Sequence, residues 1–118
     1  MVMIFANKLV REYLLDKKLV YTYRKNHRKT EDGIRPQIGR DWATDRRTGK
    51  KIANIHITPM EPTDSQNMRE VLAKYFRDSG FYGGHGITDT IDRWTRAIIS
   101  LNPFASRAGW IYKVEVIK

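Results

Sequence analysis

Residues 2–5 form a short, continuous apolar run, as a buried strand does. Asn7 then precedes Leu9, Val10, Tyr13 and Leu14, a spacing that predicts a helix reaching about Asp16 with Asn7 as its cap. Over residues 19–24 the rhythm shifts to β-branched and aromatic residues and predicts a strand. If that strand begins by Lys18, then Lys18, Val20, Thr22 and Arg24 share one face, with Leu19, Tyr21 and Tyr23 on the other. Residues 25–39 are polar and irregular. Two further strands, at 41–44 and 51–58, flank Arg46-Arg47-Thr48-Gly49-Lys50 and predict a hairpin with a basic tip. In the longer one Ala53, Ile55 and Ile57 share a face opposite Asn54, His56 and Thr58, and Pro59 and Pro62 are expected to close it.

Asp64 or Thr63 is placed to cap a helix reaching about Asp78, with Met68, Val71, Leu72, Tyr75 and Phe76 as its apolar stripe and Gly80 as its stop. After a Gly-rich loop, Thr88 or Asp89 starts another helix to about Leu101 that turns Ile91, Trp94, Ala97 and Ile98 inward. A last strand, residues 110–117, carries Trp110, Tyr112, Val114 and Val116 on one face. Strands without regular βα alternation predict an α+β fold: one domain of 118 residues, a mixed barrel-like sheet and about three flanking helices.

Charge narrows the choice of partners. Lys and Arg number 22 against 13 Asp and Glu, a net charge of +9. Residues 24–51 hold ten of the basic residues and four of the acidic ones, so six of the nine excess charges fall in that stretch. Such clustering suits phosphate contacts, and Tyr21, Tyr23 and Trp42 lie among the basic residues where unpaired bases can stack. The candidate nucleic-acid contacts are Tyr23, Arg24, Lys25, Arg28, Lys29, Arg40, Trp42, Arg46, Arg47, Lys50 and Lys51. The expected partner is nucleic acid, RNA above DNA, and no membrane, since no run approaches the ~18 apolar residues of a spanning helix. The opening residues are too short for a signal-peptide core, so a cytoplasmic address is expected.

Segment Leu14-Leu-Asp-Lys-Lys-Leu-Val-Tyr-Thr-Tyr-Arg24, after a short strand and helix, resembles the Gly-x-Lys-x-x-Glu-x-Arg signature of ASCH domains. The likeness continues through Ser79-Gly-Phe81, the helix carrying Trp94 and the terminal strand from Trp110. In this chain Thr22 stands where the family often has Glu, Lys18 lies six residues before Arg24 instead of five, and no Gly opens the segment. The resemblance implies a PUA-like barrel whose cleft, between sheet and helices, binds RNA or a nucleotide-like ligand. A similar subset of ASCH proteins hydrolyses N4-acetylcytidine with a Lys, a Thr and an acidic residue. For that alternative activity Lys18 and Thr22 match the first two, and Asp92 or Asp89 the third.

Other chemistries find less support in the residues. Without cysteine there is neither a disulfide framework nor a thiolate nucleophile. His27, His56 and His85 lack the spacing of a zinc pair, so no metal site is expected, and no cofactor is implied. Gly83-Gly84-His85-Gly86 precedes a helix, as phosphate-cradling loops do, but it lacks the Lys-Ser/Thr ending of a P-loop and reads as a plain loop. A ribonuclease is a third reading, since a basic cleft can position a phosphodiester.

Overall fold

In a computed structural model, residues 2–25, 29–30, 33–34, 39–46, 49–63, 67–82, 86–101 and 109–117 are described. Strand β1 (Val2–Ile4) leads into helix α1 (Lys8–Lys17). Asn7 caps the helix as expected, its Oδ1 accepting from the amides of Leu9 at 3.0 Å and Val10 at 3.3 Å. Val10 and Leu14 form the buried stripe, whereas Leu9 points to solvent. Lys18 is not a strand residue. It ends α1 in the left-handed region at φ 64°, its amide donating to the Leu14 carbonyl, and β2 (Leu19–Lys25) starts one residue later. Period two then holds: Val20 and Thr22 are buried on one face, and Arg24 follows on it.

The segment expected to be irregular contains a small ladder of β3 (Lys29–Thr30) and β4 (Gly33–Ile34). The main sheet is completed by β5 (Gly39–Thr44), β6 (Lys51–Thr63) and β7 (Gly109–Ile117), in the order β1-β5-β6-β7-β2. Only β1 and β5 pair in parallel; the other neighbours are antiparallel. The sheet curls into a half-barrel whose inner face carries Met3, Ala43, Ile55, Ile57, Val114 and Val20, each no more than 2% exposed. Pro59 and Pro62 do not close β6. The described pairing to β5 stops at Ile57, so among the described residues β7 is the one sheet neighbour from Pro59 onward, and a register shift lies between Pro59 and Glu61. A proline that lacks an amide donor is tolerated on such a one-sided stretch. Because β6 runs to Thr63, that residue does not cap a helix, and Asp64 lies outside the described residues.

The helix that follows is α2 (Met68–Tyr75), which tightens into a 3-10 turn at Phe76–Asp78 and stops at Gly80, φ 91°. Gly80 is required there, since a Cβ would stand 3.0 Å from the Val10 Cα. Helix α3 (Ile87–Leu101) packs Ile91, Trp94 and Ile98 into the core, with the Trp94 ring stacked on Phe81. Tyr75 of α2 lies 4.9 Å from Tyr21 of β2, ring to ring, and donates to Glu61 of β6 at 2.8 Å. Glu61 also accepts from Lys74 at 2.8 Å. Glu61 pairs across the sheet with Ile111, and Ile111 with Tyr23, so α2 covers this end of the sheet's outer face. The molecule is thus α+β, with three α-helices among the described residues. None of them is long and apolar enough to cross a membrane.

Candidate nucleic-acid interface

Helix α2 leaves the other end of the outer face uncovered. Alternation along β5 turns Ala43 into the barrel and Arg40 and Trp42 outward. On β6 the same alternation buries Ile55 and Ile57 and presents Asn54 and His56. Register aligns these residues in rows, Trp42 beside Asn54 and Arg40 beside His56, with Glu115 of β7 next in the second row. Lys113, on the same face of β7, is tied to Glu115 at 3.4 Å. The backbone amide of Trp42 donates to the Asp41 carboxylate at 2.8 Å, and its indole is 53% exposed.

That exposure sets Trp42 apart, since Trp94 is buried and Trp110 half-buried. Large aromatics ordinarily bury most of their surface, so a Trp left open on a regular strand makes this face the candidate contact surface. Lys51 lies 5.6 Å from the indole centroid, within cation–π range, and its Nζ donates to Asn54 Oδ1 at 3.2 Å. Arg46 and Lys50 are exposed at the adjoining turn, which the Gly49 amide closes by donating to the Arg46 carbonyl at 2.9 Å. The open indole thus has Lys51 against it, Arg40 two residues away on the same face of β5 and Arg46 and Lys50 at the adjoining turn, with Asp41 and Asp45 as the acidic groups nearest in the chain. Cations around a stacking surface suit a single nucleic-acid strand, whose bases stack while its phosphates pair. Asn54, His56 and Lys113 are further members of this face that charge clustering alone misses; their signal was the alternation that buries Ile55 and Val114.

The remaining candidates lie elsewhere. Arg28 and Arg47 are outside the described residues, and Lys25 and Lys29 fall at the end of β2 and in β3. Tyr23 is 8% exposed, buried at the end of the outer face that α2 covers, where a Cβ on Gly109 would strike its ring. Arg24 is on the inner face, opposite to the one that presents Trp42. Its guanidinium lies 4.7 Å from the Phe5 ring centroid. Burial lowers its pKa to about 10, partly offset by Tyr112, so it stays charged at neutral pH. Lys18 is exposed and donates its Nζ to the Leu15 carbonyl at 2.6 Å, while Thr22 is buried on β2. Asp92 pairs with Arg69 at 2.8 Å and Asp89 with Arg93 at 3.1 Å. Lys18 and the two aspartates are therefore each engaged with partners outside the proposed catalytic set. Among the described residues, no three His, Asp or Glu side chains converge as metal ligands would.

Comparison with known proteins finds no matching family model, no similar curated protein and no matching solved structure.

Proposed function

We propose that this protein binds single-stranded nucleic acid, RNA above DNA, on the open outer face of β5 and β6. Trp42 carries the reading: its indole is exposed on a regular strand with Lys51 in cation–π range. Arg40, Arg46, Lys50 and Lys51 neutralise phosphates, and Trp42 stacks on a base. The finer fold reading belongs here too. A half-barrel entered by a strand and α1, with Ser79-Gly-Phe81 before α3 and a terminal strand, supports an ASCH-like member of the PUA-like barrels. The strand's path differs from the cleft that the family resemblance implies, since the open aromatic lies on the sheet's outer face. The hydrolase alternative draws less support, because Lys18 and Asp92 are held by Leu15 and Arg69.

Fluorescence anisotropy with labelled single-stranded RNA, duplex RNA and duplex DNA, at two salt concentrations, tests the reading. Single-stranded RNA binds tightest, in a salt-sensitive manner, and W42A weakens it. Equal affinity for all three with no effect of W42A contradicts the assignment.

A further inference from the structure

Arg24 has a peculiarity that outer-face binding does not use. The side chain is half-buried on the inner face of the half-barrel, and its Nε is buried without a hydrogen-bond partner among the described residues. The contact it does make joins the two ends of the sheet: Arg24 belongs to β2, the last strand in the order, and Phe5 directly follows β1, the first. Thr22, two residues earlier on the same face, stands roughly 7 Å away along the strand. Trp110 and Tyr112 of β7 are their cross-strand neighbours. The wall is thus aromatic, with a hydroxyl and a cation but no carboxylate among the residues named.

An arginine with a buried, unpartnered Nε is costly to keep. Taking a charge out of water is offset when a counter-ion or a full set of acceptors awaits it, and an aromatic face supplies a small part of that compensation. Among the described residues no ion pair joins Arg24 to a carboxylate, and a ligand can supply the anion. We propose that Arg24 is the anchor of a small-oxyanion site at the seam of the half-barrel, which takes the phosphate group of inorganic phosphate or of a mononucleotide. Phosphate offers the parallel acceptor oxygens that a guanidinium fork prefers, and Thr22 is positioned to donate to a further oxygen. Such a ligand restores the missing acceptor at Nε and braces β1 against β2.

The test follows the Nε–Hε resonance of Arg24, assigned by its absence in R24K, while the full-length protein is titrated with inorganic phosphate, adenosine 5′-monophosphate, adenosine and acetate. Phosphate and the nucleotide each shift the resonance saturably, and adenosine does not. A nucleotide that binds tighter than phosphate identifies the mononucleotide as the source, and equal affinity identifies the free ion. R24M removes the charge at similar length and loses phosphate affinity roughly ten- to hundred-fold. The phosphate-induced rise in melting temperature disappears with it. Should R24M fail to fold, R24K gives the second reading, since a point charge cannot reproduce the fork and binds phosphate more weakly. A resonance that no anion shifts saturably overturns the site, as does an R24M variant that keeps the wild-type thermal response to phosphate. The reporter is Arg24 itself, on the face opposite Trp42, so either result is independent of RNA binding.

Discussion

Trp42 and the two partnered tyrosines show how neighbours decide what one residue does. An exposed indole contributes little to the fold, so W42A should leave the melting temperature nearly unchanged while removing a stacked base. Stacking of that kind is worth about 1–3 kcal/mol, roughly a 5- to 150-fold loss of affinity for single-stranded RNA by anisotropy. Tyr13 and Tyr75 are the reverse case, polar groups that serve the fold. Tyr13 donates to Asp78 at 2.5 Å and Tyr75 to Glu61 at 2.8 Å. Burial first, and the carboxylate bond second, push each phenol from 10.0 up to about 12. Both phenols hold their protons more tightly folded than unfolded. The stability they add is therefore intact below about pH 10 and is lost as pH rises through about 12. Absorbance at 295 nm should show two late-ionising tyrosines, and Y13F and Y75F should each remove one. Glu61 has the opposite sense. Its bonds from Lys74 and Tyr75 hold its carboxyl below the usual carboxylate value of 4.5, so its contribution is present above that pH and is lost on acidification.

Elements built from local chemistry were legible in the sequence. Asn7 names the start of α1 because a cap bonds to amides two and three residues ahead, within its own short segment. N7A should accordingly cost about 1 kcal/mol of stability, read as a lower urea midpoint with an unchanged slope. Faces of β2, β6 and β7 follow from alternation for the same reason. The misreadings share a non-local cause. Nothing near Pro59 and Pro62 announces that, among the described residues, β6 there pairs with β7 alone. Lys18 fits a strand face by counting, yet α1 needs a left-handed residue to terminate, and Lys18 fills that role. The interface was half legible. Its basic residues and Trp42 stand out in composition, but Trp42 is open because α2 covers the opposite end of the sheet. Tyr23, equally aromatic and also flanked by basic residues, is buried by Gly109 and β7.

At the scale of the whole molecule, the half-barrel separates two environments that the sequence places side by side. The outer face of β5 and β6 is open and carries Arg40, Trp42 and His56, whereas the inner face is largely apolar, with Asp41, Thr22 and the half-buried Arg24 among its polar members. A net charge of +9 favours encounter with polyanions, and under the proposed function the outer face is where they bind. If Arg40, Arg46, Lys50 and Lys51 each displace one counterion from a single strand, log affinity falls with log salt at a slope of roughly −3. Removing one of them, as in K51A, flattens that slope by about 0.7. The most direct test of the account is an anisotropy titration of single-stranded RNA against wild type and W42A across a salt series. The account predicts a wild-type slope near −3 and a W42A curve shifted to weaker binding with its slope preserved, since the lost contact is a stack and not a charge. No binding at low salt, or a W42A curve superimposed on wild type, would contradict it.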